Sequence, residues 1–225
     1  MDWNRFEQGW RCAPLAGPAR SLVVLLHDAA SAFDLLPLAQ SWCRALPDTA
    51  FASFDGERRW RASREIDELR RPQCVANAYA SLYRMLCNEL AHYKLDFDRL
   101  AIVGFSKGSI LALHHVATNR AGAAAVLAYS GRLASPIVEK SRTPVTLVHG
   151  TDDEVIPVVE LERAAHALSD AGYAVEAYAL PAVGHTISSD GVLLGRDALV
   201  RALVERPLVL ARARIKAMAS AQRAF

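Results

Sequence analysis

The sequence predicts an α/β protein of three layers, a mostly parallel sheet with helices on both faces. Three observations carry this. Short apolar runs rich in β-branched residues, such as residues 21–27 (SLVVLLH), alternate with longer segments of helical periodicity. The run at 21–27 is continuously apolar and short, as a strand covered on both sides by helices must be. The alternation continues from about residue 21 to 205 without a break, which is the pattern of strands joined by helical crossovers.

Taken in order, the first run is followed by a helix expected over residues 34–46, a strand over 49–54 and a long helix over 72–93. Residues 100–105 (LAIVGF) then read as a strand and 107–118 as a helix. Strands follow at 124–129 and 145–149, a helix at 160–171, a strand at 174–180 and a last helix at 188–205. Six parallel strands result, with an antiparallel edge strand expected near residues 10–15. No internal repeat or low-complexity linker divides the chain, so residues 1–225 are expected to form a single domain. Two segments fall outside the pattern: the polar, basic stretch 55–71 (DGERRWRASREIDELRR), and residues 206–225, a basic C-terminal helix or tail with no acidic residue.

Composition narrows the function classes. The chain is 52% hydrophobic and 22% charged, enough apolar surface for a sizeable core. A formal charge of +2 argues against nucleic acid as a partner, which calls for clustered excess Lys and Arg. The opening MDWNRFEQGWRCAP lacks the basic-then-apolar order of a secretory signal, and no apolar run reaches the roughly 18 residues of a membrane span. No membrane span and a cytoplasmic location are the expectation. Cys12, Cys43, Cys74 and Cys87 form no CxxC pair and are expected to be buried thiols. His114 and His115 diverge on a helix, so no shared metal is expected.

The chemistry concentrates in three places. Gly104-Phe105-Ser106-Lys107-Gly108 matches G-x-S-x-G and sits between a strand and a helix, the context in which this string makes a nucleophile elbow. An acidic residue, Asp152 or Asp153, follows the strand PVTLVHG, and Gly184-His185-Thr186 follows the strand VEAYAL. The chain order serine, acid, histidine is that of α/β-hydrolases. All three loops lie at carboxyl ends of strands, where open α/β sheets bind ligands. An ordinary glycine-flanked turn, two surface carboxylates and a solitary histidine would each explain one signal, but not their joint order.

GFSKGS, HGTDDEVIP and GHTIS, with LVVLLHDAAS near the start, resemble the small carboxylesterase and phospholipase family that includes acyl-protein thioesterases. The resemblance covers roughly residues 20–205 and implies the three-layer α/β-hydrolase fold. It further implies a triad of Ser106, His185 and Asp153 rather than Asp152, with backbone N–H groups of Ala29 and Lys107 as the oxyanion hole. The implied substrate is a small-molecule acyl ester or thioester of short to medium chain, cleaved through an acyl-enzyme with no metal or organic cofactor. A homodimer is compatible with the family's habit. A dienelactone-hydrolase or peptidase-like activity, or a non-catalytic binding module on the same fold, are the competing readings. Trp60, flanked by Arg58, Arg59 and Arg61, lies where the family often carries an aromatic at the mouth of the site. It is either an acyl-group wall beside arginines that favour anionic substrates, or part of a solvated basic loop. The tail is either a membrane or partner helix or a segment packed on the body.

The sequence departs from the family at His27-Asp28, where the family has His-Gly, and at Lys107, where glutamine is common. A carboxylate about 6 Å from a developing oxyanion would oppose it by about 3 kcal/mol at an effective dielectric near 20, roughly a hundredfold in rate. Asp28 and Lys107 flank the two oxyanion donors, and an ion pair between them would offset that penalty. Lys107→Gln is expected to lower kcat/KM, and adding Asp28→Gly to restore much of the loss. A double-mutant cycle on kcat/KM measures this, and purely additive effects would show that the two side chains do not interact.

Overall fold

The structure is a computed structural model that describes residues 2–27, 32–55 and 71–207. Strands β1 (Trp3–Phe6) and β2 (Gly9–Cys12) form an antiparallel hairpin. They are followed by β3 (Ser21–Leu26), β4 (Thr49–Phe54), β5 (Leu100–Phe105), β6 (Ala125–Tyr129), β7 (Val145–Gly150) and β8 (Val175–Leu180). The helices are α1 (Leu36–Trp42), α2 (Arg71–Tyr93), α3 (Lys107–Thr118), α4 (Val159–Asp170) and α5 (Ser189–Val200). All strands join one sheet in the order β1-β2-β4-β3-β5-β6-β7-β8. The six strands from β3 to β8 are mutually parallel, and β2 pairs antiparallel with β4.

Strand β3 shows why the apolar runs read as they do. Leu22, Val24 and Leu26 enter one core with Leu82 and Leu86 of α2, Leu111 and Leu113 of α3 and Leu161 of α4. Val23 and Leu25 enter a second core with Leu38 and Trp42 of α1 and Leu199 of α5. Successive side chains alternate across the sheet, so a strand between two helical layers must be apolar throughout. Trp42 donates its indole N–H to the Val192 carbonyl at 2.9 Å, fastening α1 to α5 on the second face.

Element boundaries moved in two places. The edge strand expected at 10–15 occupies Gly9–Cys12 and stops before Pro14, which has no N–H for a ladder. Its partner β1 was not expected: four residues, two of them exposed, carry too little apolar pattern. The first helix is shorter than 34–46, a 3₁₀ turn at Ala32–Leu35 leading into α1, where a proline near the helix start matches the conformation needed there. The last helix begins at the Ser188 cap, whose hydroxyl accepts from the Gly191 N–H, and runs on as a π-helical turn, Arg201–Glu205.

The order of strands decides where a ligand can sit. The chain moves from β3 outward to β4, then returns past β3 to β5 and proceeds the other way to β8. That reversal opens a crevice outside the carboxyl ends of β3 and β5. Among the described residues, no helix is long and apolar enough to cross a membrane.

All four cysteines are free; Cys12 and Cys43 are buried as expected, but Cys74 and Cys87 on α2 are only half-buried. His114 and His115 are buried on α3 with separate partners. His114 Nδ1 lies 2.6 Å from Ser135 Oγ. His115 Nε2 lies 2.7 Å from the Gly122 carbonyl and must donate to it, which leaves Nδ1 to accept from Tyr79 Oη at 2.9 Å. Burial, reinforced by His115, lowers the His114 pKa to about 4 from an ordinary 6.5. As pH falls the unfolded chain takes this proton first, so stability is lost between pH 6.5 and about 4. At pH 4.5 the loss from this group is about 2 kcal/mol relative to pH 7. Denaturant unfolding at the two pH values is expected to show a smaller loss for His114→Asn, which keeps a partner for Ser135. An equal loss would mean that another group titrates.

Candidate active site

Ser106 is the turn between β5 and α3, and its backbone is forced. It holds φ 57° and ψ −120°, a left-handed conformation disfavoured for a residue with a side chain. Packing imposes it. A Cβ on Gly108 would lie 2.0 Å from the Leu26 carbonyl oxygen at the end of β3, and one on Gly104 would lie 2.4 Å from the Gly108 backbone. Only glycine at both positions lets helix and strand meet so closely. The Ser106 N–H donates to the Tyr129 carbonyl at 3.0 Å, tying the turn to β6.

Ser109, one turn into α3, completes the support and was not singled out from sequence. Its buried hydroxyl lies 2.7 Å from the Gly104 carbonyl and 2.6 Å from the Tyr129 carbonyl, bridging both sides of the turn. The final serine of GFSKGS was the available signal, but a serine near a helix start also caps locally, and only the fold brings Tyr129 to it.

The other two loops converge on this point. His185 follows β8, with Nε2 2.9 Å from Ser106 Oγ and Nδ1 2.8 Å from Asp153 Oδ2. Asp153 follows β7 and is buried, and its Oδ1 accepts from the N–H groups of Val155 and Ile156, both at 2.9 Å. Burial alone would push this carboxyl up. The hydrogen bonds from His185, Ile156 and Val155 outweigh it, so the pKa lies below the ordinary carboxylate value and Asp153 is ionised at neutral pH. Asp152 is exposed and accepts instead from the neighbouring Thr151 hydroxyl at 2.7 Å. With Asp153 ionised, His185 carries its proton on Nδ1 and leaves Nε2 to accept from the serine hydroxyl.

Phe105 is a further neighbour that sequence reading passed over. Its ring lies 4.9 Å from the His185 ring and stacks at 5.6 Å with His27, giving the imidazole an apolar support. Of the predicted oxyanion residues, Lys107 opens α3, so its N–H belongs to the helix's first turn, where the macrodipole favours negative charge. Ala29, Asp28 and Trp60 lie outside the described residues, as does the tail beyond residue 207.

Comparison with known proteins bears on the family and the fold. The sequence pattern of the phospholipase/carboxylesterase family matches residues 13–194. Esterase YpfH of Escherichia coli K12 is 26% identical over 192 residues, spanning 81% of this chain and 83% of that protein. The crystal structure of esterase PE8 superposes with a TM-score of 0.79 at 28% identity, covering 87% of this chain and 99% of its own. A carboxylesterase from Bacillus cereus, 18% identical, shares the fold with a TM-score of 0.72 over 85% of this chain and 92% of its own.

Proposed function

This chain belongs to the phospholipase/carboxylesterase family and is a carboxylic ester hydrolase, and from that premise we propose that Ser106, His185 and Asp153 are its catalytic triad, acting on acyl esters or thioesters of short to medium chain. The observation that carries the reading is the unbroken hydrogen-bond chain from Asp153 through His185 to Ser106, at 2.8 and 2.9 Å.

The steps follow from these contacts. His185 Nε2 takes the Ser106 proton as Oγ attacks the acyl carbonyl, and Asp153 stabilises the imidazolium that forms. The family resemblance assigns the oxygen of the tetrahedral intermediate to the N–H groups of Ala29, which lies outside the described residues, and Lys107, each such donor worth about 3 to 4 kcal/mol. Collapse passes the proton from His185 to the departing alcohol or thiol and leaves an acyl-Ser106. Water then repeats the sequence, releasing the acid and restoring the serine. The left-handed backbone at Ser106 supports this role, because strain of that kind persists where a side chain must be presented in one orientation.

Ser106 is expected to be the one serine labelled by a fluorophosphonate, with Ser106→Ala losing both the label and hydrolysis of short-chain p-nitrophenyl esters. Labelling elsewhere by peptide mass analysis, or an active alanine variant, would reject the assignment. Asp153→Asn is expected to lower kcat by about 10⁴-fold, since an amide favours the wrong imidazole tautomer. Asp152→Asn should leave kcat within a few-fold of the parent, as expected of an exposed side chain that accepts from the Thr151 hydroxyl. A greater loss from the Asp152 variant in steady-state assays would reverse the choice of acid.

A further inference from the structure

Asp153 and Ser106 hold His185 from two ends, through hydrogen bonds at Nδ1 and Nε2 that run in the plane of the imidazole. The flat faces of the ring are left to other neighbours, and Phe105 is one of them. Its ring centroid lies 4.9 Å from that of His185, with the two planes inclined at 41°. An edge-on contact would set the planes near perpendicular, so the phenyl turns part of its π face toward the imidazole. The sheet fixes the phenyl in this place. Ala101, Val103 and Phe105 share one side of β5, where the first two enter the second core and Phe105 packs against it. Phe105 also pairs with Tyr129 of β6 and stacks with His27 at 5.6 Å. Phe105 is half-buried, and the His185 side chain is 19% exposed, so little water separates or surrounds the two rings.

We propose that Phe105 is a positioning residue for ester hydrolysis whose π face stabilises the imidazolium formed on His185; this rests on the triad reading above. The face of an aromatic ring is electron-rich and attracts a cation within about 6 Å of its centroid, more strongly where water is excluded. His185 gains positive charge each time it takes a proton, from Ser106 in acylation and from water in deacylation. The attraction is therefore larger in both transition states than in the complexes that precede them, which is the condition for raising kcat. Asp153 offsets the same charge through the ring's edge. Phe105 does so through the face, without placing a second carboxylate beside the developing oxyanion. An aliphatic side chain at position 105 would fill the space but present no such face.

The test places mono-, di- and trifluorinated phenylalanines at position 105 of the full chain, beside Phe105→Leu, and follows p-nitrophenyl acetate hydrolysis and fluorophosphonate labelling. Each added fluorine draws electron density from the ring face with little change of size. Over the series kcat is expected to fall stepwise, roughly tenfold by the trifluorinated ring, with KM within about twofold of the parent. Phe105→Leu is expected to lose about as much as the trifluorinated ring. A role limited to packing would lower the melting temperature of the Leu variant and leave the fluorinated series flat, and a wall for the acyl chain would raise KM. A flat series, or a loss carried by KM, would overturn the proposal. Should the Leu variant fail to fold, the fluorinated series decides alone, because its rings keep the shape of the parent. Absence of label on Ser106 in the parent would instead sink the triad reading, whereas a labelled Ser106 with a flat series removes only the role of Phe105.

Discussion

Helix α3 meets the carboxyl end of β3 without room for a single methyl group between them, since a Cβ on Gly108 would lie 2.0 Å from the Leu26 carbonyl. Much else at the site is arranged around that contact. It leaves too little chain for an ordinary strand-to-helix connection, so Ser106 takes the left-handed backbone and its side chain is presented above β5. Backbone strain of this kind costs about 1–3 kcal/mol and survives only where the surroundings over-determine it. Here they do, through the Ser106 bond to Tyr129 and the Ser109 hydroxyl between the carbonyls of Gly104 and Tyr129. The turn is thereby built into the pairing of β5 with β6, and both strands are covered on each face by a hydrophobic core.

Two buried histidine environments show how the same protein sets charge in opposite directions. On α3, His114 and His115 are desolvated with hydroxyl or carbonyl partners, and burial keeps them neutral. At the carboxyl ends of the strands, Asp153 is also buried, yet N–H donors outnumber what burial takes away and the carboxylate stays charged. The first arrangement packs helices on the sheet. The second concentrates a negative charge in a dry place beside an imidazole, which is what an imidazolium formed during acyl transfer requires. That division matches the sheet's own polarity, with the candidate site at the carboxyl ends and the packing along the faces.

The apolar runs of β3, β5 and β6 by themselves determined that these strands would be buried on both faces and hence lie parallel under helices, because a period of two leaves almost no polar member to expose, whereas β8, with Glu176, is only half covered. G-x-S-x-G between strand and helix likewise determined the turn, since glycine is what a close backbone approach demands locally. The order serine, acid, histidine at three strand ends was equally legible. Tertiary structure decided the rest. The hairpin partner β1 is four residues long and is held by pairing with β2, not by its own pattern. The adjacent Asp152 and Asp153 are alike as sequence and become different only when one is folded under His185 and the other turned to solvent. The contacts that join the site span 79 residues from Ser106 to His185 and 32 from Asp153 to His185, and Ser109 and Phe105 acquire partners in the same way. Local sequence encodes backbone conformation and burial, whereas a hydrogen bond of 2.8 Å depends on where distant strands end, and that is set only when the whole sheet has assembled.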